Sequence, residues 1–394
     1  MMTDTYKPYV SGITNYISLN KRYLEAAGHE VFVFTFGGLD YEDQESNIIR
    51  SPGAPIVDSG FYLNTHHSAE AKKLLQSMDV VHVHHPFLSG LLALRYCRPH
   101  KIPIIFTNHT RYDLLAQAYL PLLPEIISHR LLETYMPPYC EAVDMVISPS
   151  LGMANILREL QVESPIEIVP NGVELHRFYQ AKALSRTEFG FSDDDILLVY
   201  AGRLGPEKNL EFLLQAFIGV AETLDHARLL IVGDGPRRES LIRQGTQGNL
   251  GERIHFVGMV EYDKMPGYLR MCDIFASASI SEVHPLSMIE AMGVGLPILG
   301  IHSPGVEDII EDGVTGFLSN NNLAAFTAKM TRLCMQDDLR KKMGQTALHA
   351  SARYEIKRTT QLMLAHFTKL TTNVHPRQQN WDIKLRDLLN RILP

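Results

Sequence analysis

Four charged side chains, at two places in this 394-residue sequence, have the types and spacing to hold an anionic ligand rich in hydroxyls. The run Gly202-Arg203-Leu204-Gly205-Pro206-Glu207-Lys208-Asn209 follows a strand-like apolar segment and precedes a helix-like one. Arg203 and Lys208 therefore stand at a strand end beside a helix start. Two cations there are what a diphosphate leaving group requires, because its developing negative charge must be neutralised. The plain alternative is two surface cations on a loop. Asn209 has the side chain of a helix cap. In Glu282-Val-His-Pro-Leu-Ser-Met-Ile-Glu290, Pro285 suits a first helical turn, which puts Glu282 on the preceding loop and Glu290 inside the helix. Carboxylates accept well from sugar hydroxyls, and a pair can grip two parts of one ligand. Free N–H groups at the helix start can face a phosphate. As spacing alone the pair is common, since solvated glutamates abound.

Three further features carry chemistry less specifically. Ser11-Gly12 turns out of a short strand remnant into a helix. Glycine there lets backbone approach a phosphate at a helix N-terminus, although a strand–helix turn needs glycine more often for structure alone. His82-Val83-His84-His85 places His82 and His84 on one face of a strand, so the two could share a metal. A metal-dependent hydrolase is thus an alternative, against which no carboxylate or further histidine recurs at later strand ends. Asp193-Asp194-Asp195 has the composition of a metal cluster but sits between segments and reads as a solvated loop.

The elements that must position these residues alternate along the whole chain. Residues 13–27, 68–77 and 88–96 have helical periodicity; 30–36, 80–84, 103–107, 143–148 and 166–169 are strand-like. The pattern breaks at Pro170-Asn171-Gly172 and resumes with strands at 196–201, 228–232, 254–257, 274–276 and 297–299, and a helix at 210–223. Repeated βα units imply parallel sheets with helices on both faces. The length suits two domains, assigned as 1–172 and 196–372. A polar linker, 173–195, joins them, and a tail helix lies in 373–394, where Trp381 heads an amphipathic run. Ligands of such folds bind at the carboxyl ends of strands. The chain opens at what reads as the end of a first strand, so the expectation is a truncated strand that leaves a gap or an unpaired edge beside 30–36.

Bulk composition narrows the function classes. The chain is 45% hydrophobic and 21% charged, with a net charge of −7, which argues against general nucleic-acid binding. Residues 1–180 carry 13 Lys/Arg against 19 Asp/Glu, and the rest 24 against 25. No apolar stretch reaches the ~20 residues of a membrane span. Four scattered cysteines, Cys97, Cys140, Cys272 and Cys334, read as buried thiols of a reducing compartment. No signal peptide is recognisable, and the expected location is cytoplasmic.

In this order and spacing the motifs resemble the retaining glycosyltransferases of family 4. They are Ser11-Gly12, Thr107-Asn108-His109-Thr110, Pro170-Asn171-Gly172-Val173, Gly202-Arg203-Leu204 with Glu207-Lys208, Gly233-Asp234-Gly235, Phe256-Val257-Gly258, and Glu282/Glu290 with Ala291-Met292. The resemblance spans nearly the whole chain. It implies the α/β GT-B fold, two Rossmann-like doubly wound domains facing across a cleft lined by the site residues. It implies a metal-independent hexosyltransferase that uses a UDP- or GDP-linked sugar as donor substrate and no cofactor. Gly12 would approach the donor phosphates, Arg203 and Lys208 would hold the diphosphate, and Glu282 would bind the sugar hydroxyls. Glu290 would bind the ribose, the main chain near Met259 the base, and Gly233 is a further donor-binding position. His109 would lie near the reacting carbon, so the expected catalytic set is His109, Arg203, Lys208 and Glu282. Many relatives carry glycine where this chain has Pro285 and an aromatic where it has His284; proline removes one N–H donor there. A non-catalytic sugar-nucleotide-binding protein is the remaining alternative.

The expected acceptor is a hydroxyl compound, with a membrane lipid such as diacylglycerol suggested by the similarity of 107–113 to lipid glycosyltransferases. Apolar segments 120–127 and 131–136, with His129 and Arg130 between them and Arg95, Arg98 and Lys101 elsewhere, could touch the inner face of a membrane. The plainer reading is a helix packed within the first domain, and the acidic balance of that half opposes a strong pull to anionic lipid.

Overall fold

The computed structural model describes residues 1–38, 41–55, 62–64, 66–114, 125–245 and 251–372. Among them the first unit comprises 1–113, 125–172 and 356–372, and the second Leu114, 173–245 and 251–355.

The first unit contains β1 (Val33–Gly37), β2 (Ile48–Pro52), a short antiparallel pair β3 (Ala54–Pro55) and β4 (Tyr62–Leu63), then β5 (Val81–Val83), β6 (Ile104–Thr107), β7 (Met145–Ser148) and β8 (Ile166–Ile168). β1 pairs parallel with β2, and β5 to β8 form a parallel sheet in chain order. Met2 bridges parallel to Phe34 on one side and Val83 on the other. Its neighbours complete the ladder: Met2 N–H donates to the His82 carbonyl and Thr3 N–H to that of Phe34. The expected gap beside β1 is therefore closed, because three residues suffice to satisfy both neighbouring backbones.

Helices α1 (Gly12–Ala26), α2 (Ala69–Leu75), α3 (Leu88–Cys97), α4 (Glu125–Ala142) and α5 (Leu151–Glu159) flank these strands. Ser11 starts α1 through a reciprocal cap with Thr14. In α4, Leu132, Tyr135 and Met136 are buried, while Leu131 and Glu133 are exposed, so the apolar residues of 131–136 mostly face the core. Most of 120–127 lies outside the described residues.

The second unit holds β9 (Ile196–Ala201), β10 (Ala227–Val232), β11 (Ile254–Gly258), β12 (Ile274–Ala276), β13 (Ile298–Ile301) and β14 (Gly316–Ser319), parallel throughout in the order β11-β10-β9-β12-β13-β14. Around them run α6 (Leu175–Tyr179), α7 (Leu210–Ala221), α8 (Arg238–Gly245), α9 (Met265–Arg270), α10 (Leu286–Gly293), α11 (Pro304–Glu307), α12 (Leu323–Met335) and α13 (Asp337–Ser351). Leu197, Val199 and Ala201 of β9 enter one core and Leu198 and Tyr200 the other. A strand buried on both faces reads as an unbroken apolar run, which is why β9 was legible to the residue. All four cysteines are buried thiols.

Two boundaries differ from the sequence reading. The supposed linker 173–195 belongs to the second unit: Leu175, Phe178 and Phe191 are buried in its core. Asp195, read as solvated, is buried, accepts from Ser192 N–H at 2.8 Å and pairs with Arg228 at 3.2 Å. The segment 356–372, assigned to the second domain, is α14 (Ile356–Thr372) of the first unit. It packs against α1, and Met363 joins Ile105, Met145 and Val169 in one cluster. Periodicity shows that a segment is helical and which face is apolar, but not which sheet covers that face. The 373–394 segment and Trp381 lie outside the described residues. No helix among the described residues is long and apolar enough to cross a membrane.

Candidate functional site

In the second sheet the chain leaves β9 towards β10 on one side, while β12 occupies the other side of β9. That reversal makes the carboxyl ends of β9 and β12 the topological switch point, where doubly wound sheets bind ligands. The loop 202–209 leaves β9 there, and the loop 277–285 leaves β12.

Three side chains stitch the two loops together. Asn209 Nδ2 donates to the Ala278 carbonyl at 3.2 Å, Ser281 Oγ to the Glu207 carbonyl at 3.1 Å, and Lys208 Nζ to Glu282 Oε1 at 2.7 Å. Asn209 was expected to cap α7. It precedes the helix in the left-handed region, at φ 53°, and makes no side-chain cap. Asparagine tolerates that conformation, and its amide is spent on the cross-loop bond. Arg203 is exposed, and its carbonyl accepts from the Tyr200 hydroxyl at 3.0 Å. The turn is thus anchored to the core through β9.

Pro285 precedes α10 rather than opening its first turn. Glu282 lies on the loop before it, with its main-chain carbonyl accepting from Gly305 N–H at 3.2 Å. Glu290 lies in α10 and is only 7% exposed. Its one hydrogen bond among the described residues comes from the Tyr262 hydroxyl, 3.0 Å from Oε1. Burial pushes its carboxyl up to about 7, and the phenol opposes that shift. A buried carboxylate with so few donors has lone pairs to offer a ligand.

Met259 is 72% exposed and directly follows Gly258 at the end of β11. Gly233 has a packing reason of its own. A Cβ there would stand 1.9 Å from the Gly202 carbonyl oxygen, at φ +141°. The close approach of the loops after β9 and β10 requires glycine whether or not a ligand binds.

In the first unit Gly12 is the first residue of α1, and a Cβ there would meet nothing within 4 Å. No packing among the described residues requires glycine at 12. His109 follows β6. Its Nε2 lies 3.0 Å from His84 Nδ1, and its ring packs on Tyr16 at 4.7 Å. Burial lowers His109 to about 3, and His82 and His84 well below their usual range. All three rings are therefore neutral at physiological pH.

His82 and His84 share a face as expected, with ring centroids 4.2 Å apart. They do not converge on a common point: His82 Nε2 pairs with Thr107 Oγ1 at 2.7 Å and His84 with His109. Among the described residues no group of three or more His, Cys, Asp or Glu side chains has the geometry to hold a metal ion.

Sequence reasoning missed Tyr262, Ser281 and the buried roles of His84 and Tyr16. Tyr262 is 28 positions from Glu290, and no motif in the intervening sequence links them.

Two family descriptions match the chain. "Glycosyltransferase Family 4" matches residues 10–177, and "Glycosyl transferases group 1" residues 182–349. The alpha-monoglucosyldiacylglycerol synthase of Streptococcus pneumoniae is 31% identical over 335 residues, 81% of this chain and 74% of that one. The protein of the same name from Acholeplasma laidlawii is 27% identical over 82% and 84%. Among solved structures, sucrose-phosphate synthase from Thermosynechococcus elongatus superposes with a TM-score of 0.75 at 18% identity, covering 94% of this chain and 96% of its own. Anabaena HepE in complex with UDP and glucose gives 0.74 at 16%, covering 94% and 98%. Strand order, loop geometry and these similarities agree: the chain belongs to the family 4 glycosyltransferases, enzymes of the GT-B fold.

Proposed function

We propose that this chain transfers a hexose from a nucleoside-diphosphate sugar, UDP- or GDP-linked, to a lipid hydroxyl such as that of diacylglycerol, at a membrane surface, with retention of anomeric configuration and without a metal. The observation that carries the donor reading is the switch point of the second sheet. There the loops bearing Arg203, Lys208 and Glu282 are bound to each other, and Glu290 holds a buried, under-coordinated carboxylate. The lipid acceptor is supported by the relatives named alpha-monoglucosyldiacylglycerol synthase.

In this reading the acceptor hydroxyl attacks the anomeric carbon on the face from which the diphosphate leaves. The bond from that carbon to the phosphate oxygen breaks, and the departing phosphate takes the hydroxyl proton. Arg203 and Lys208 meet the negative charge that grows on the diphosphate, and Glu282 orients the sugar. Glu290 holds the ribose hydroxyls, and the base lies along the main chain at Met259. Gly12 allows backbone to approach the phosphates, and His109, a neutral ring, positions the sugar near the reacting carbon.

The test is a thermal-shift screen across UDP-, GDP- and ADP-sugars, since a ligand of the native state raises the midpoint by mass action. Transfer of the labelled sugar from the best donor to diacylglycerol in mixed micelles follows, with the product's anomeric configuration read by NMR. A stabilising donor and an α-linked product from an α-linked donor are expected. An inverted product rules out the retaining mechanism, and transfer to soluble acceptors alone rules out the lipid.

A further inference from the structure

We propose that Tyr262 is a positioning residue for donor binding, its phenol fixing one oxygen of the Glu290 carboxylate so that the other is presented to the ribose hydroxyls. The inference rests on the assignment of Glu290 to the ribose.

Tyr262 opens the 3-10 turn Tyr262–Lys264, between β11 and α9. Its residue is 37% exposed, yet its hydroxyl turns inward to Glu290 Oε1 at 3.0 Å. The ring is braced from two sides. The Arg177 guanidinium lies 5.7 Å from its centroid, and the Phe178 ring meets it edge-on at 6.4 Å. Arg177 is in turn fixed by Asp263, the residue after Tyr262, at 2.6 Å, and by Glu174 at 3.5 Å. A chain of contacts therefore runs from a surface ion pair, through an aromatic ring, to a buried carboxylate.

A glutamate in a helix has several rotamers, and a carboxylate has about four lone-pair sites. One directed phenolic bond selects a rotamer and occupies one oxygen. The bond also favours the ionised form, which is the form that accepts from two vicinal hydroxyls.

Several charged groups near α10 have partners of their own. Glu174 and Asp263 both pair with Arg177, Arg270 donates to the Val294 carbonyl, and Arg340 on α13 binds Asp337 and the Leu333 carbonyl. Burial and Tyr262 remain as the influences on Glu290.

The experiment uses Tyr262→Phe, which keeps the ring and its packing and removes only the hydroxyl. UDP-glucose binding is measured by calorimetry from pH 5.5 to 9 in wild type, Tyr262→Phe, Glu290→Gln and the double variant. The Glu290 carboxyl is followed without ligand by its 13Cδ resonance. Wild-type affinity should fall as pH drops through the Glu290 midpoint. Tyr262→Phe should bind roughly tenfold more weakly at pH 7 and move both the affinity profile and the 13C midpoint to higher pH. Glu290→Gln should weaken binding and flatten the profile, and adding Tyr262→Phe to it should change nothing more. An unmoved 13C midpoint, or a loss of affinity equal at every pH, overturns the proposal. Wild-type affinity in Glu290→Gln would instead overturn the ribose assignment, whatever Tyr262→Phe does.

Discussion

Lys208 Nζ lies 2.7 Å from Glu282 Oε1, so the cation assigned to the diphosphate and the carboxylate assigned to the sugar are each other's partners. The pair is part-exposed, at 20% and 16%, and carries no net charge. Growth of negative charge on a leaving diphosphate would draw Lys208 towards it and leave Glu282 to the sugar hydroxyls. Lys208→Ala should lower kcat by about a hundred- to a thousandfold, the usual loss for one electrostatic donor. Stability should change by about 1 kcal/mol or less, because ion pairs near the surface contribute little. Steady-state kinetics with a thermal melt checks both; full turnover in Lys208→Ala rules out the diphosphate role.

Gly12 and Gly233 separate ligand need from packing need. Alanine at 12 meets no neighbour, so Gly12→Ala should leave stability unchanged or raise it by about 0.5–1 kcal/mol. On the proposed role of Gly12, donor binding should nevertheless weaken, because a methyl there would keep backbone from approaching the phosphates. Gly233→Ala should destabilise by about 2–4 kcal/mol, because its Cβ collides with the Gly202 carbonyl. Chemical denaturation and donor titration of the two variants should give opposite patterns. A Gly12→Ala enzyme of normal donor affinity would return Gly12 to a purely local role.

Glu290 carries a stability cost that depends on pH. Its folded-state value, about 7, lies above the unfolded value, so the native state binds the extra proton and loses stability as pH rises from about 4.5 through 7. Glu290→Gln removes that cost. At pH 8 the variant should be more stable by up to about 3 kcal/mol, and at pH 4 the advantage should vanish. Melting midpoints at the two pH values measure it. Equal differences at both would mean that the carboxyl is not held neutral by burial.

The histidines of the first unit give the opposite sign. His109 is lowered to about 3 and His82, His84 and His85 are also lowered, chiefly by burial. Above the unfolded value of about 6.5 both states are neutral and nothing is lost. Below it the unfolded chain takes up protons that the native cluster refuses, so stability falls by about 1.4 kcal/mol per pH unit for each such histidine. Denaturation midpoints should drop steeply between pH 6.5 and 4, and His84→Phe should shallow the slope. A flat profile would mean that the cluster accepts protons in the native state.

Much of the placement of residues at the switch point was legible because they lie in short, contiguous motifs. Arg203 and Lys208 are five residues apart, and the loop that carries them is set by β9, a strand whose two buried faces show as an apolar run. Glu282 and Glu290 fall on the loop and helix that follow β12 for the same reason. What was misread depended on partners distant in sequence. The 173–195 stretch is polar on average, yet Leu175, Phe178 and Phe191 find a core. Asn209 could cap a helix or bridge two loops, and only the nearby Ala278 carbonyl decides between them.

The sequence by itself determined the alternation of strands and helices, the glycine- and charge-bearing turns at strand ends and the family they spell out, because local propensity and short-range spacing carry that information. Tertiary structure alone decided that α14 returns to the first unit, that Met2 completes its sheet, that Lys208 is paired with Glu282 and that Tyr262 reaches Glu290. Each of these is a contact between residues far apart along the chain. Such contacts are selected by which buried faces and polar groups satisfy one another once the chain has collapsed, and no local pattern records that choice.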